Sequence, residues 1–397
     1  MNNQIRLLIL TILSSLSFFN PLGFIQEKNS KAIMYVAILL TIILSCFKTI
    51  KHTVKYPNYL YKLLAIGIVI SVIMPYLYQK QGFFITLQST LPFIFSLLYV
   101  VVLIKSDIPI EKIEKVFVWM SILTMFVFAA NLFTAPNYFF GEAKDSVDMS
   151  RGIARIRVPM QYIILSFFLS LNRFVEGREK KWLYLCCLSF LFIVLSVTRQ
   201  YIAFSALFGV MYLMRSVSWK KKIMVFATVF FIAEFVLPQI PIFQKMQEVS
   251  EEQKYANNEE DDIRVREYYF YLFDAQANDV TAVWGNGIPS FGNSQWGNYF
   301  EKIIEFNHCY SVDIGWGGFY FHFGLLTTFA YMLIFFFAIK SPKHQIYAYT
   351  TYYLMFMYFS SFISGPVMFY HQILSISIVI YIVYKQKEIK KNSLMIK

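Results

Sequence analysis

Apolar residues in this chain gather in blocks of about 17 to 25, the length needed to cross the hydrocarbon core of a bilayer, and the blocks recur along most of the sequence. Backbone polar groups inside a bilayer must be satisfied within the chain, so such recurrence predicts an all-α polytopic membrane protein. Candidate spans cover residues 5–25, 31–47, 60–78, 83–104, 116–135, 158–175, 181–198, 200–214, 223–238, 314–339, 345–363 and 366–384, about twelve transmembrane helices in all. The expected organisation is spans one to nine over 1–237, one long connection over 238–313, and spans ten to twelve with a tail over 314–397.

The formal charge of +12 does not point to nucleic acid, because the basic residues cluster at span ends rather than on one soluble face. Lys48, Lys51, Lys55 and Lys62 follow span two, Lys105, Lys112 and Lys115 follow span four, and Arg173, Arg178, Lys180 and Lys181 follow span six. Spans eight, ten and twelve are followed in the same way by Arg215 and Lys220, by Lys340 and Lys343, and by Lys385 and Lys387. A basic exit after every even span predicts that both termini are cytoplasmic and that the long connection lies outside. Only Arg6 precedes the first apolar block and no small-residue cleavage site follows it, so the reading is an uncleaved first span. Cys46, Cys186 and Cys187 fall inside spans, which leaves Cys309 alone outside and predicts no disulfide within the chain. No CxxC-type spacing is present, so no metal held by thiolates is expected.

The cytoplasmic connections are too short for a nucleotide-sugar-binding domain, which needs on the order of a hundred residues. A long outer connection is where function is expected. Its first part, Lys245 to Asp262, is acidic and reads as a solvated face. IRVREYYFYLFDAQA (Ile263 to Ala277) mixes aromatic and charged residues after an Asp pair suited to capping, as a helix lying on a membrane surface would. QWGNYFEKIIEF spaces Trp296, Phe300, Ile303 and Ile304 as a second interfacial helix, and WGNGIPSFGNS between the two is turn-rich. The loop Pro136 to Arg157 carries Arg151, Arg155 and Arg157 on the outer side, where basic residues are normally sparse.

Arg199, Glu234, Asp313, His322 and His371 are polar groups in or at the rim of spans, all toward the outer half on this topology. Arginine there suits a lipid pyrophosphate, because its planar fork pairs with phosphate oxygens and stays charged. Transfer of a sugar from such a donor also calls for a general base, for which Asp313, His308 and Glu234 are the candidates. Three of these have a plainer account: Arg199 as the snorkelling turn between spans seven and eight, His308 as an ordinary loop histidine, Asp313 as the N-cap of span ten.

The order IRVREYYFYLFDAQ, WGNGIPSFGNS, HCYSVDIGWGGFYFHFGLL, together with TRQYIAFSALFG upstream, resembles the O-antigen polymerase and O-antigen ligase superfamily. There an arginine-led loop helix precedes a Gly-x-Gly turn, and a polar residue opens the next span ahead of a glycine-rich run. The resemblance spans about a third of the chain. It implies an inner-membrane glycosyltransferase, without metal or other cofactor, whose partners are undecaprenyl-pyrophosphate-linked oligosaccharides, membrane lipids and a chain-length regulator. By position it implies that Arg199 and Arg264, or its neighbour Arg266, contact the donor pyrophosphate, with Arg151, Arg155 and Arg157 as further candidates. The ligases usually carry His-Asn in the loop; this chain has Asn307 then His308, with Asp313 ahead of span ten, which moves the expectation toward a polymerase of repeat units. A ligase acting on lipid A core or protein differs only in acceptor. A lipid-linked sugar flippase predicts instead two related halves and polar groups near the midplane.

Overall fold

A computed structural model describes residues 3–16, 27–46, 58–135, 159–216, 263–341 and 344–395, with a few isolated positions besides. Among the described residues the regular structure is helical throughout, and contacts divide the chain into two units. The first comprises 1–16, 27–116 and 261–397, the second 17–26 and 117–260.

The first unit contains α1 (Asn3–Ser15), α2 (Glu27–Cys46), α3 (Asn58–Tyr78) and α4 (Phe83–Ser106), then α9 (Ile263–Tyr269), α10 (Asp279–Trp284), α11 (Gln295–Asn307), α12 (Gly315–Lys340), α13 (Tyr349–Ser360) and α14 (Tyr370–Met395). The second contains α6 (Gln161–Gly177), α7 (Lys180–Leu195) and α8 (Arg199–Leu213). Helix α5 (Ile110–Thr134) gives its first turns to the first unit and the rest to the second.

Four of these helices, α3, α4, α5 and α12, are long and apolar enough to cross a membrane. Other expected spans fold shorter: α6, α7 and α8 have 17, 16 and 15 residues and α13 has 12. At 1.5 Å per residue these fall below the roughly 30 Å of a bilayer core. The expected span 223–238 lies almost wholly outside the described residues, as does most of the second half of 5–25.

In the first unit α3 packs on α12, and α4 on α14. The α3 and α12 backbones approach so closely that a Cβ on Gly67 would overlap the Thr327 hydroxyl, the small-residue contact that helix pairs in lipid depend on. Polar side chains close the other seams through hydrogen bonds: Ser377 donates to the Ser96 carbonyl at 2.7 Å, Tyr381 to the Ile108 carbonyl at 2.7 Å and Tyr349 to Glu114 at 2.9 Å. In the second unit the Asn172 amide donates to the Tyr212 hydroxyl at 2.6 Å, tying α6 to α8.

Helix α12 is interrupted at Gly324, whose φ of 80° and ψ of 170° are non-helical. A break in a helix this apolar leaves carbonyls that need donors. They receive them from the glycine-rich turn after α10: Asn286 N–H reaches the Phe321 carbonyl at 2.8 Å and Gly287 N–H the His322 carbonyl at 2.9 Å. The fit requires glycine on both sides, since a Cβ on Gly324 would overlap the Val283 carbonyl and one on Gly285 the His322 carbonyl.

Candidate functional site

The segment from Ile263 to Asp313 is fastened at three levels. At the first, side chains of the α3–α4 connection hold the turn. The Gln81 amide donates to the Ile288 carbonyl and to Thr86, each at 2.9 Å, while its oxygen accepts from Ser290 N–H at 3.0 Å and from the Ser294 hydroxyl at 2.6 Å. Asn286 accepts from Gln79 at 2.8 Å and donates to Gln276 at 2.7 Å, so a buried amide is used on both sides.

At the second level, α9 continues as a π-turn over Phe270–Asp274, and its aromatic side packs inward. Tyr271, Phe300, Ile304 and Phe321 form one buried cluster, in which the Phe300 and Phe321 rings stack 5.1 Å apart at 8°. Trp296 and Ile303 pack against it. The apolar stripe of α11 is therefore helical as expected, but it faces protein rather than a membrane surface. Val265, Tyr269, Phe273, Tyr299 and Phe306 are among the residues that stay exposed.

At the third level stands a cluster of charge. A spacing of three puts Arg264 and Glu267 on one face of α9, and Tyr271 follows in the π-turn. Arg264 Nη1 donates to Glu267 Oε2 at 2.8 Å and lies 3.2 Å from Asp313 Oδ2. Glu267 is buried, and its other oxygen accepts from Tyr310 N–H at 3.2 Å. Burial pushes the Glu267 carboxyl upward; Arg264 and the Tyr310 amide oppose this without cancelling it. For Arg264, burial works against the charged form, but Asp313 and Glu267 outweigh it and its pKa is raised. The Tyr271 hydroxyl donates to the Cys309 carbonyl at 2.9 Å and holds the strand of chain that leads to Asp313. Burial lifts the neighbouring Tyr268 phenol to about 12, so it stays protonated and donates to the Phe362 carbonyl at 2.9 Å.

His322 joins this region from α12. Its Nδ1 lies 2.9 Å from the Gly287 carbonyl, which can only accept, so Nδ1 carries the proton and Nε2 faces the Ser311 hydroxyl at 3.5 Å. The imidazole thus braces the Gly287 turn against the turn Ser311–Asp313.

Of the residues singled out from sequence, Arg264 and Asp313 come together. Asp313 is not the N-cap of α12: that position is Ile314, without a side-chain cap, and Asp313 ends a 3₁₀ turn facing Arg264. His308 is exposed and closes α11 in the left-handed conformation, with its N–H on the Ile304 carbonyl. Arg266 is half-buried on α9. Arg199 is exposed as the first residue of α8, in the other unit. His371 packs against the rings of Phe369 and Tyr370. Glu234, Arg151, Arg155 and Arg157 lie outside the described residues. Glu267 is the residue that sequence reasoning missed, although its spacing of three from Arg264 was a readable signal. Among the described residues, no three His, Cys, Asp or Glu side chains converge as a metal site requires.

Compared with known proteins, the chain matches no family model and no curated relative.

Proposed function

We propose that the chain is a polymerase of lipid-linked oligosaccharide repeat units, working at the outer face of a bacterial inner membrane. The observation that carries this reading is the pairing of Arg264 with a half-exposed Asp313, on a segment framed by apolar helices. An arginine fork there offers charge for a pyrophosphate, and a carboxylate beside it offers a base for a sugar hydroxyl. In the step that follows, the acceptor hydroxyl attacks the anomeric carbon of the donor sugar and its proton passes to Asp313. The bond from that carbon to the pyrophosphate oxygen breaks, and undecaprenyl pyrophosphate leaves with the electron pair. Arg264 offsets the charge that develops on the leaving oxygen. Arg199, Arg266 and the Arg151 to Arg157 cluster are further candidates for donor binding, and His308 and Glu234 for the base. The connection 238–313, which includes the segment Ile263 to Asp313, is on this reading the long periplasmic loop of a multi-pass protein with both termini in the cytoplasm.

The test is the glycan ladder from cells lacking the gene and complemented with wild type, Arg264→Ala or Asp313→Asn, with membrane levels checked by blot. Single repeat units in the variants support a polymerase. Long chains that accumulate on the lipid carrier without reaching their acceptor indicate a ligase, and units trapped on the cytoplasmic side indicate transport.

A further inference from the structure

Arg264 holds two carboxylates on unequal terms. Both reach the same nitrogen, Glu267 at 2.8 Å and Asp313 at 3.2 Å. The Glu267 side chain is 1% exposed and has its second oxygen engaged by Tyr310 N–H, so parting it from Arg264 would strand a buried charge. The Asp313 side chain is 44% exposed and comes from a separate, short turn, so water can replace its ion pair at little loss. Arg264 is itself 36% exposed, and Asp313 is the more exposed of its two carboxylate partners. A phosphate group arriving there carries more charge and more acceptor oxygens than one carboxylate. It would be a third anion beside a nitrogen that already holds two carboxylates, and of those two the exposed Asp313 is the one that repulsion can push away at small cost.

Resting on the glycan-transfer reading, we propose that Asp313 occupies the donor phosphate's place on Arg264 and is exchanged for it: the pyrophosphate takes the outward side of the guanidinium, and the displaced Asp313 carboxylate turns to the acceptor hydroxyl. Glu267 stays in place throughout as a positioning residue that keeps Arg264 aimed outward. The arrangement couples the two halves of the reaction, since the oxygens that take the proton are released only when the donor has bound.

The exchange makes an unusual demand, that one substitution improves anion binding while stopping turnover. The experiment titrates inorganic pyrophosphate into the full-length protein in nanodiscs, for wild type, Arg264→Ala, Asp313→Asn and Asp313→Ser, with thermal unfolding recorded for each. Removing an exposed competing ion pair should tighten binding up to about fivefold in both Asp313 variants. Arg264→Ala should weaken it by about tenfold or more. In cells, both Asp313 variants should fail to extend chains. Unchanged or weaker pyrophosphate binding in the Asp313 variants overturns the exchange, as does wild-type binding in Arg264→Ala. The two failures separate cleanly. If cells need Arg264 for chain extension but Asp313→Asn binds no tighter, the exchange alone falls; if Arg264→Ala cells make full-length chains, the glycan-transfer reading falls.

Discussion

Arg199 opens α8 two residues after the left-handed Val197 and remains exposed, whereas Arg264, on a helix of seven residues, has buried Glu267 against it and Asp313 alongside. Both had been singled out for the same reason, an arginine at the expected outer rim. What separates them is solvation. An exposed guanidinium keeps most of its hydration, while a half-buried one requires carboxylates, and the chain supplies one from the same helix and one from a distant turn. The second arrangement survives only if the whole segment is held still, which is the work of the glycine-rich turn seated in the break of α12.

The largest effect is expected where that seating is attacked. Gly324→Ala combines a left-handed φ with overlap of the Val283 carbonyl and should cost about 3 kcal/mol or more. Gly292→Ala, with φ of 73° and open space around it, should cost about 1 kcal/mol. Thermal unfolding in detergent checks the pair, and equal losses would break the link between the turn and the site. Next comes the contrast itself. Glu267→Ala should destabilise by about 2 kcal/mol, a buried-pair loss reduced because Arg264 is partly solvated, against about 0.5 kcal/mol or less for Arg199→Ala. Similar values for the two would show that Arg264 is no more dependent on its surroundings than Arg199. Asp313→Asn should lower stability by less than about 1 kcal/mol, since that pair is exposed.

The smallest effect is a pH dependence. Because the folded protein raises the Glu267 pKa, the native state holds this proton more tightly than the unfolded chain does. Stability from this group is therefore highest below the ordinary glutamate value and falls as pH rises through the raised one. Subtracting the unfolding profile of Glu267→Gln from that of wild type should isolate this decline, and a difference that rises with pH would refute it.

The outline of the site was legible in the sequence because Arg264 opens an aromatic helix directly after an acidic stretch and Asp313 stands among apolar neighbours. Glu267 was overlooked because an arginine-led motif draws attention to the cation, and a carboxylate three residues on reads as an ordinary helix pair. The Gly-x-Gly turn could be read only as a turn, for its partner is a break in a helix far along the chain, and no local pattern contains that fit. The spacing of Trp296, Phe300, Ile303 and Ile304 identified the helix, but not whether lipid or the Tyr271 and Phe321 rings would cover it. Hydropathy, similarly, located the apolar blocks but did not give their helical lengths in α7, α8 and α13.

The most direct test of the account is reconstitution of the purified protein in liposomes with an undecaprenyl-pyrophosphate-linked repeat unit as the only substrate, followed by gel analysis of chain length. Products of increasing length with release of undecaprenyl pyrophosphate are expected from wild type, and neither from Arg264→Ala nor from Asp313→Asn. Chain growth undiminished in both variants would contradict the account.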